Sequence, residues 1–256
     1  MKRILLAGTA LLGLIGAANA ADLPPRYPAP PPVAPAVVPP SWTGFYVGAG
    51  WGYGVSDTNS SVIPASGLIQ GTTNNGARGW LGMADVGYDY QFNIGGWNLV
   101  AGVLADYNFG NMTGTSNFTA APGAGFTTLT GVEKEKSFWD AGGRIGWLIT
   151  PDILSYFSGG YSSAHFDGMN LQPFGGVPMS TSSHNYSGWF TGAGIETKIA
   201  SIPGLYFNTE YRFTSYTSAT LPIAGSAAAI GVPTSLKLQP SQQTVMSGLH
   251  YKFNWW

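Results

Sequence analysis

The sequence contains no cysteine. That excludes disulfides, thiolate metal sites, cysteine nucleophiles and a lipidated N-terminal cysteine. Charge is scarce as well: Asp, Glu, Lys and Arg make up 9% of the chain, against about a quarter of an ordinary soluble domain. Much of the surface of such a protein does not face water. The net charge of -1 leaves no basic face to neutralise phosphates, which argues against a nucleic-acid partner. After the N-terminus no apolar run approaches the roughly 18 residues that a spanning helix needs. Low charge without helical spans favours a barrel. The three histidines, His165, His184 and His250, show no metal-ligand spacing, and no cofactor is expected from them.

Glycine (37), proline (18) and aromatic residues (14%) are plentiful in the 256-residue chain. Residues 1–20 have the three parts of a secretory signal peptide: basic Lys2 and Arg3, an apolar run Ile4–Ile15, and the small-residue site Ala18-Asn19-Ala20. Residues 21–41 form a proline-rich segment, with Pro30-Pro31-Pro32 and Pro39-Pro40. It reads as a semi-rigid spacer ahead of a domain over residues 42–256.

That domain carries period-two patterning. Phe45, Val47, Ala49, Trp51 and Tyr53 share one face of the first strand, and Gly48, Gly50, Gly52 and Gly54 the other. Glycine at alternate positions makes room for bulky side chains from other strands in a narrow lumen. Seven further strands follow near 79–92, 97–110, 136–148, 153–166, 186–199, 205–216 and 244–255, the fifth without a clear facing. Turns near 93–96, 149–152 and 201–204 are short. Segments rich in Ser, Thr, Gly, Ala and Asn near 55–78, 111–135, 167–185 and 217–242 are long. All long connections therefore fall at one end of the strands, the asymmetry of outer-membrane barrels.

Charges sort by face. Asp85, Asp89, Asp106, Asp140, Arg144, Glu196, Lys198, Glu210, Arg212 and Lys252 lie opposite the aromatic set. Trp97, Trp147, Tyr216 and Trp255 fall at strand ends, where interfacial girdles sit. The expected fold is all-β: an eight-stranded antiparallel up-and-down transmembrane β-barrel, with four long extracellular loops and short periplasmic turns. An interior of that size is just wide enough for side chains to fill. The inward charges are then expected to pair, with Arg144 as hub, Asp85, Asp140 and Glu210 as partners, and Arg212 as a second cation. A gated pore is the alternative. Glu133-Lys134-Glu135-Lys136 reads as a solvated strand extension above the membrane.

Several motifs resemble porin-like, eight-stranded outer-membrane proteins of Gram-negative bacteria, the OmpA-like small barrels. Trp42-Thr43-Gly44-Phe45-Tyr46-Val47-Gly48 follows a proline-rich leader. Gly192-Ala193-Gly194-Ile195-Glu196, Glu210-Tyr211-Arg212-Phe213 and Gly248-Leu249-His250-Tyr251-Lys252-Phe253 match later strands of the pattern. The resemblance implies a monomeric, non-enzymatic barrel of the outer membrane with a surface or envelope-integrity role. Its partners would be outer-membrane lipid, lipopolysaccharide and the barrel-insertion machinery. That machinery reads a terminal aromatic, a role falling here to Phe253 or Trp255. A small-solute porin and a haem-binding surface protein are the alternatives, the latter with His165 or His184 as ligand. Ser163, His165 and Asp167 share a face in the manner of a triad, but neighbours on one strand rarely reach that geometry, and no catalytic residue is expected.

Overall fold

The computed structural model describes residues 41–64, 72–119, 128–173, 179–225 and 233–253. The expected signal peptide, all but the last residue of the spacer, and Trp255 lie outside the described residues. Five long strands, β1 (Gly44–Pro64), β2 (Thr72–Ile94), β3 (Trp97–Thr119), β4 (Thr128–Thr150) and β11 (Pro233–Phe253), are 21–23 residues each. Three are shorter: β5 (Ile153–Phe166), β8 (His184–Lys198) and β9 (Leu205–Tyr216). The pairing β1-β2-β3-β4-β5-β8-β9-β11 closes through β1–β11 into an eight-stranded antiparallel ring. Following hydrogen-bonded partners round it from Gly44 leads through Asp89, Gly102, Arg144, Ser158, Gly192, Arg212 and Thr244 to Gly54. The stagger is thus ten residues (54 − 44), a shear that tilts the strands and joins levels far apart in sequence.

Alternation assigns the two faces. Outside, Phe45, Tyr90, Trp97, Trp147 and Tyr251 encircle the short-turn end. Tyr53, Trp80, Phe109, Trp139, Tyr161 and Trp189 encircle the ring one span further along, and Trp80 and Trp97 remain 70% and 67% exposed. Val47, Val86, Val103, Ile145, Ile195 and Leu249 fill the band between. The fifth strand, unreadable in sequence, turns Leu154, Tyr156, Ser158, Ser162, Ala164 and Phe166 inward and Phe157 and Tyr161 outward. Both of its faces mix serine with aromatics, which is why patterning failed there. Tyr216, expected in a girdle, is inward and buried, sharing the parity of Glu210 and Arg212.

The segments read as four long loops are largely strand. β1 to β4 and β11 run well beyond the upper aromatic belt. Where β5, β8 and β9 leave the wall, β6 (Asn170–Pro173), β7 (Met179–Thr181) and β10 (Ala219–Ala224) take their places. The pairings β4–β6, β6–β7, β7–β10 and β10–β11 close a second eight-stranded ring above the first. Sequence patterning missed this because the upper wall has water outside. Ser56, Thr58 and Ser60 point in while Asp57 and Asn59 point out, so no hydrophobic period marks the strand. The apolar filling comes from elsewhere: Phe118, Phe138, Phe166, Leu171, Leu221, Leu236 and Leu238 pack there. Five of the six methionines, Met83, Met112, Met169, Met179 and Met246, join them. Unbranched thioether chains suit an irregular interior of this kind.

Candidate functional site: the charged interior

The lower ring holds the ionisable groups. Of the ten charged residues placed on the inner face from sequence, nine, Asp85, Asp89, Asp106, Asp140, Arg144, Glu196, Glu210, Arg212 and Lys252, are buried inside the ring, and Lys198 is half-buried at the end of β8. They form two clusters. Nearer the short turns, Arg144 donates through Nε and Nη2 to both oxygens of Asp89, at 2.8 and 2.5 Å, and through Nη1 to Glu196 at 2.9 Å. Lys252 Nζ lies 2.7 Å from Asp89 and 3.0 Å from Glu196. His250 stands 2.9 Å from Asp85 and 3.5 Å from Glu196. With the imidazole charged, three cations face three acids.

Aromatic rings surround this cluster. The Arg144 guanidinium lies 4.7 Å from the Tyr46 ring and 5.0 Å from that of Tyr156, and Lys252 Nζ lies 4.5 Å from Trp42 and 4.7 Å from Tyr206. Such faces attract cations that have lost their water. Trp42 floors the cluster. Its backbone N–H donates to Gln91 and its indole N–H to the Pro151 carbonyl, while its ring packs on Tyr206. These aromatics and His250 were not among the site residues read from sequence. The parity of His250 with Lys252 on one strand was the signal that could have found it.

One level further along, Arg212 is alone. Its Nη1 reaches Asp106 at 2.8 Å and Asp140 at 2.5 Å, and its Nε reaches Glu210 at 3.0 Å. Ser158 and Tyr156 hydroxyls donate to Glu210, and the Asn108 amide donates to Asp106. The Phe190 ring lies 4.4 Å from the guanidinium. Asp85, Asp106 and Asp140 are direct neighbours on β2, β3 and β4. Like charges so placed repel; Arg212 reaches in from across the barrel to hold Asp106 and Asp140, and His250 meets Asp85 over Gly48 on the strand between them. Arg144 is thus not the hub for Asp85, Asp140 and Glu210. The stagger places it one level below those acids and gives Asp140 and Glu210 to Arg212.

Close approach at two glycines makes this packing possible. A methyl on Gly48 would collide with Asp85 and His250, and one on Gly102 with Asp89. Between the clusters a cavity of about 20 Å³ is lined by Asp85, Asp106, Arg144, Glu210, Arg212 and His250, room for roughly one water molecule.

Above the upper belt, Glu133 and Glu135 point inward while Lys134 and Lys136 point outward. The segment is a strand extension, but its acids are buried, not solvated. Glu133 accepts from Thr58 at 2.7 Å and Ser116 at 3.3 Å. The Glu135 carboxyl has no hydrogen-bond partner among the described residues. Burial, reinforced by Glu133 and then Asp140, holds its proton affinity well above the ordinary carboxyl range. Burial likewise raises Glu133, opposed by its two hydroxyl donors.

The two histidines considered for haem do not converge. His165 projects outward, 2.6 Å from Asn185, whereas His184 has the opposite parity and packs edge-on against Tyr186. The wall therefore separates them, and they cannot clamp one iron together. His165 Nε2 is 3.9 Å from Asp167, and Ser163 is simply the preceding outward residue on the same strand.

The profile of the family described as "outer membrane protein beta-barrel domain" matches residues 7–253. The 25 kDa outer-membrane immunogenic proteins of Brucella canis and Brucella suis are each 24% identical over 99% of both chains. Among solved structures, the outer membrane protein OprG of Pseudomonas aeruginosa superposes with a TM-score of 0.50 at 14% identity, over 83% of this chain and 97% of that one. Ail of Yersinia pestis covers 82% of this chain and 99% of its own at 15% identity, with a TM-score of 0.34.

Proposed function

This chain belongs to the outer-membrane β-barrel protein family, and on that premise we propose that it serves as a structural and surface-presenting element of the outer membrane, with a lumen that does not conduct. The observation that carries the reading is the continuity of side chains along the interior. Trp42 and Tyr206 occupy the short-turn end, the Arg144 and Arg212 clusters the middle, and Phe118, Leu171 and Leu236 the extension. The 20 Å³ cavity between the clusters admits about one water and no solute. Buried charges paired this closely favour a fixed interior, since separating them would leave ions unsolvated.

Outside the membrane, the second ring carries the wall on beyond the lipid surface. The role is one of mechanical integrity and display, carried out as a monomer in contact with outer-membrane lipid. Planar-bilayer recording tests the reading. The expected result is no stable conductance from the purified protein. A large, long-lived open level would overturn it in favour of a small-solute porin.

A further inference from the structure

Strand alternation does something specific at Glu133-Lys134-Glu135-Lys136: it sends both acids inward and both bases out. Lys134 lies beside Thr113 on β3, and Thr113 lies beside Arg78 on β2. Arg78, Thr113 and Lys134 therefore form one line across three strands, a width of about 10 Å at the usual strand spacing. The line begins two residues above Trp80, in the upper aromatic belt, and Lys136 stands one outward step closer to Trp139 on β4. This is the depth at which lipid headgroups meet the wall.

The charges there are unbalanced. Lys136 pairs with Asp167 at 3.0 Å. Arg78 and Lys134 have no ion-pair partner among the described residues, and the remaining outward acid nearby, Asp57, pairs in register with Gly76 instead.

We propose that Arg78, Thr113 and Lys134, flanked by Lys136, form a site for the phosphorylated headgroup of an outer-leaflet glycolipid. The occupant follows from charge and depth together. Two unpartnered cations and a hydroxyl, set directly above an apolar aromatic belt, match a molecule with phosphates at the surface and acyl chains beneath. Arginine supplies a fork of donors to phosphate oxygens, lysine a mobile point charge, and the threonine hydroxyl a third donor. Val55 and Trp80, both exposed beside Arg78, offer the apolar surface against which the first acyl carbons lie. The site depends on the outer-membrane placement of the barrel and not on whether the lumen conducts.

Native mass spectrometry of the membrane-purified protein tests this, after exchange into nanodiscs holding either bisphosphorylated lipid A or its dephosphorylated counterpart. The wild type is expected to retain the phosphorylated form about fivefold or more over the dephosphorylated one, as charge-assisted contacts would give. The double variant Arg78→Gln/Lys134→Gln loses that preference while keeping its heat-modifiable gel mobility. Lys237→Gln, also exposed but further out on β11, keeps the preference. Should the double variant fail to fold, Lys134→Gln alone is expected to lower the ratio and Lys134→Arg to restore it. Equal retention of both lipids by the wild type would overturn the proposal, as would an undiminished preference in the variants. A soluble sulfated polysaccharide that displaces the lipid and binds more tightly would overturn it in favour of a polysaccharide surface.

Discussion

The cluster around Arg144 and the cluster around Arg212 occupy neighbouring levels of one lumen, yet they are built differently. Around Arg144, Asp85, Asp89 and Glu196 meet Arg144, Lys252 and His250. Around Arg212, Asp106, Asp140 and Glu210 meet Arg212 alone. The first is redundant, because Asp89 touches two cations and Glu196 three. The second hangs on one guanidinium, with neutral donors from Ser158, Tyr156 and Asn108 sharing the load. Above both, Glu133 and Glu135 have no cation among the described residues. The interior thus grows more acidic from the short turns outward, and each level uses a different device: opposite charge, then hydrogen bonds, then protonation.

This contrast orders the expected effects. Arg212→Met is the most damaging, leaving three buried acids without a cation. About 5 kcal/mol of folding stability should be lost, the upper end for a broken buried pair, read by urea titration in lipid vesicles. Arg144→Met leaves Lys252 and His250 in place and should lose about 3 kcal/mol. If the two losses are equal, or their order is reversed, the redundancy described for the lower cluster does not hold.

The third level has the opposite sign. Glu135 binds its proton more tightly in the folded protein than in the unfolded chain, because it is buried near Glu133 and Asp140. Stability from this group is therefore highest at acid pH and falls as pH rises from the unfolded carboxyl value through the raised one. Glu135→Gln removes the ionisable group and should stabilise the barrel at neutral pH by about 1–2 kcal/mol, with the gain vanishing near pH 4. Melting followed across that pH range checks it, and a gain that persists at pH 4 would contradict the assignment. Smallest is Gly48→Ala. Its methyl pushes on Asp85 and His250, and overpacking of this sort costs about 1 kcal/mol, measurable by the same titration.

The lower ring was legible because it sits between lipid and a crowded lumen, so each residue has one suitable side. Asp106 and Tyr107, or Arg212 and Phe213, announce their faces by contrast alone. Partner choice was not legible. Arg144 and Asp140 stand four residues apart on one strand, and only the ten-residue stagger of the ring reveals that their counter-charges come from different levels. The upper ring was hidden for another reason. Along Ser56-Asp57-Thr58-Asn59-Ser60 both faces are polar, and the filling comes from Leu236, Leu238 and Phe118 on strands distant in sequence. Leu236 and Leu238 do alternate with Lys237 and Gln239, a short signal inside a segment that otherwise reads as loop.

The change of strands at Phe166, His184 and Tyr216 has a consequence for how this molecule can vary. Below that line β5, β8 and β9 complete the wall; above it β6, β7 and β10 do so, paired among themselves and with β4 and β11. The two sets share no ladder hydrogen bonds with each other. The described residues between Asp167 and Ser183 supply no rung of the membrane-embedded ring, so one anchored cylinder can carry different outer walls.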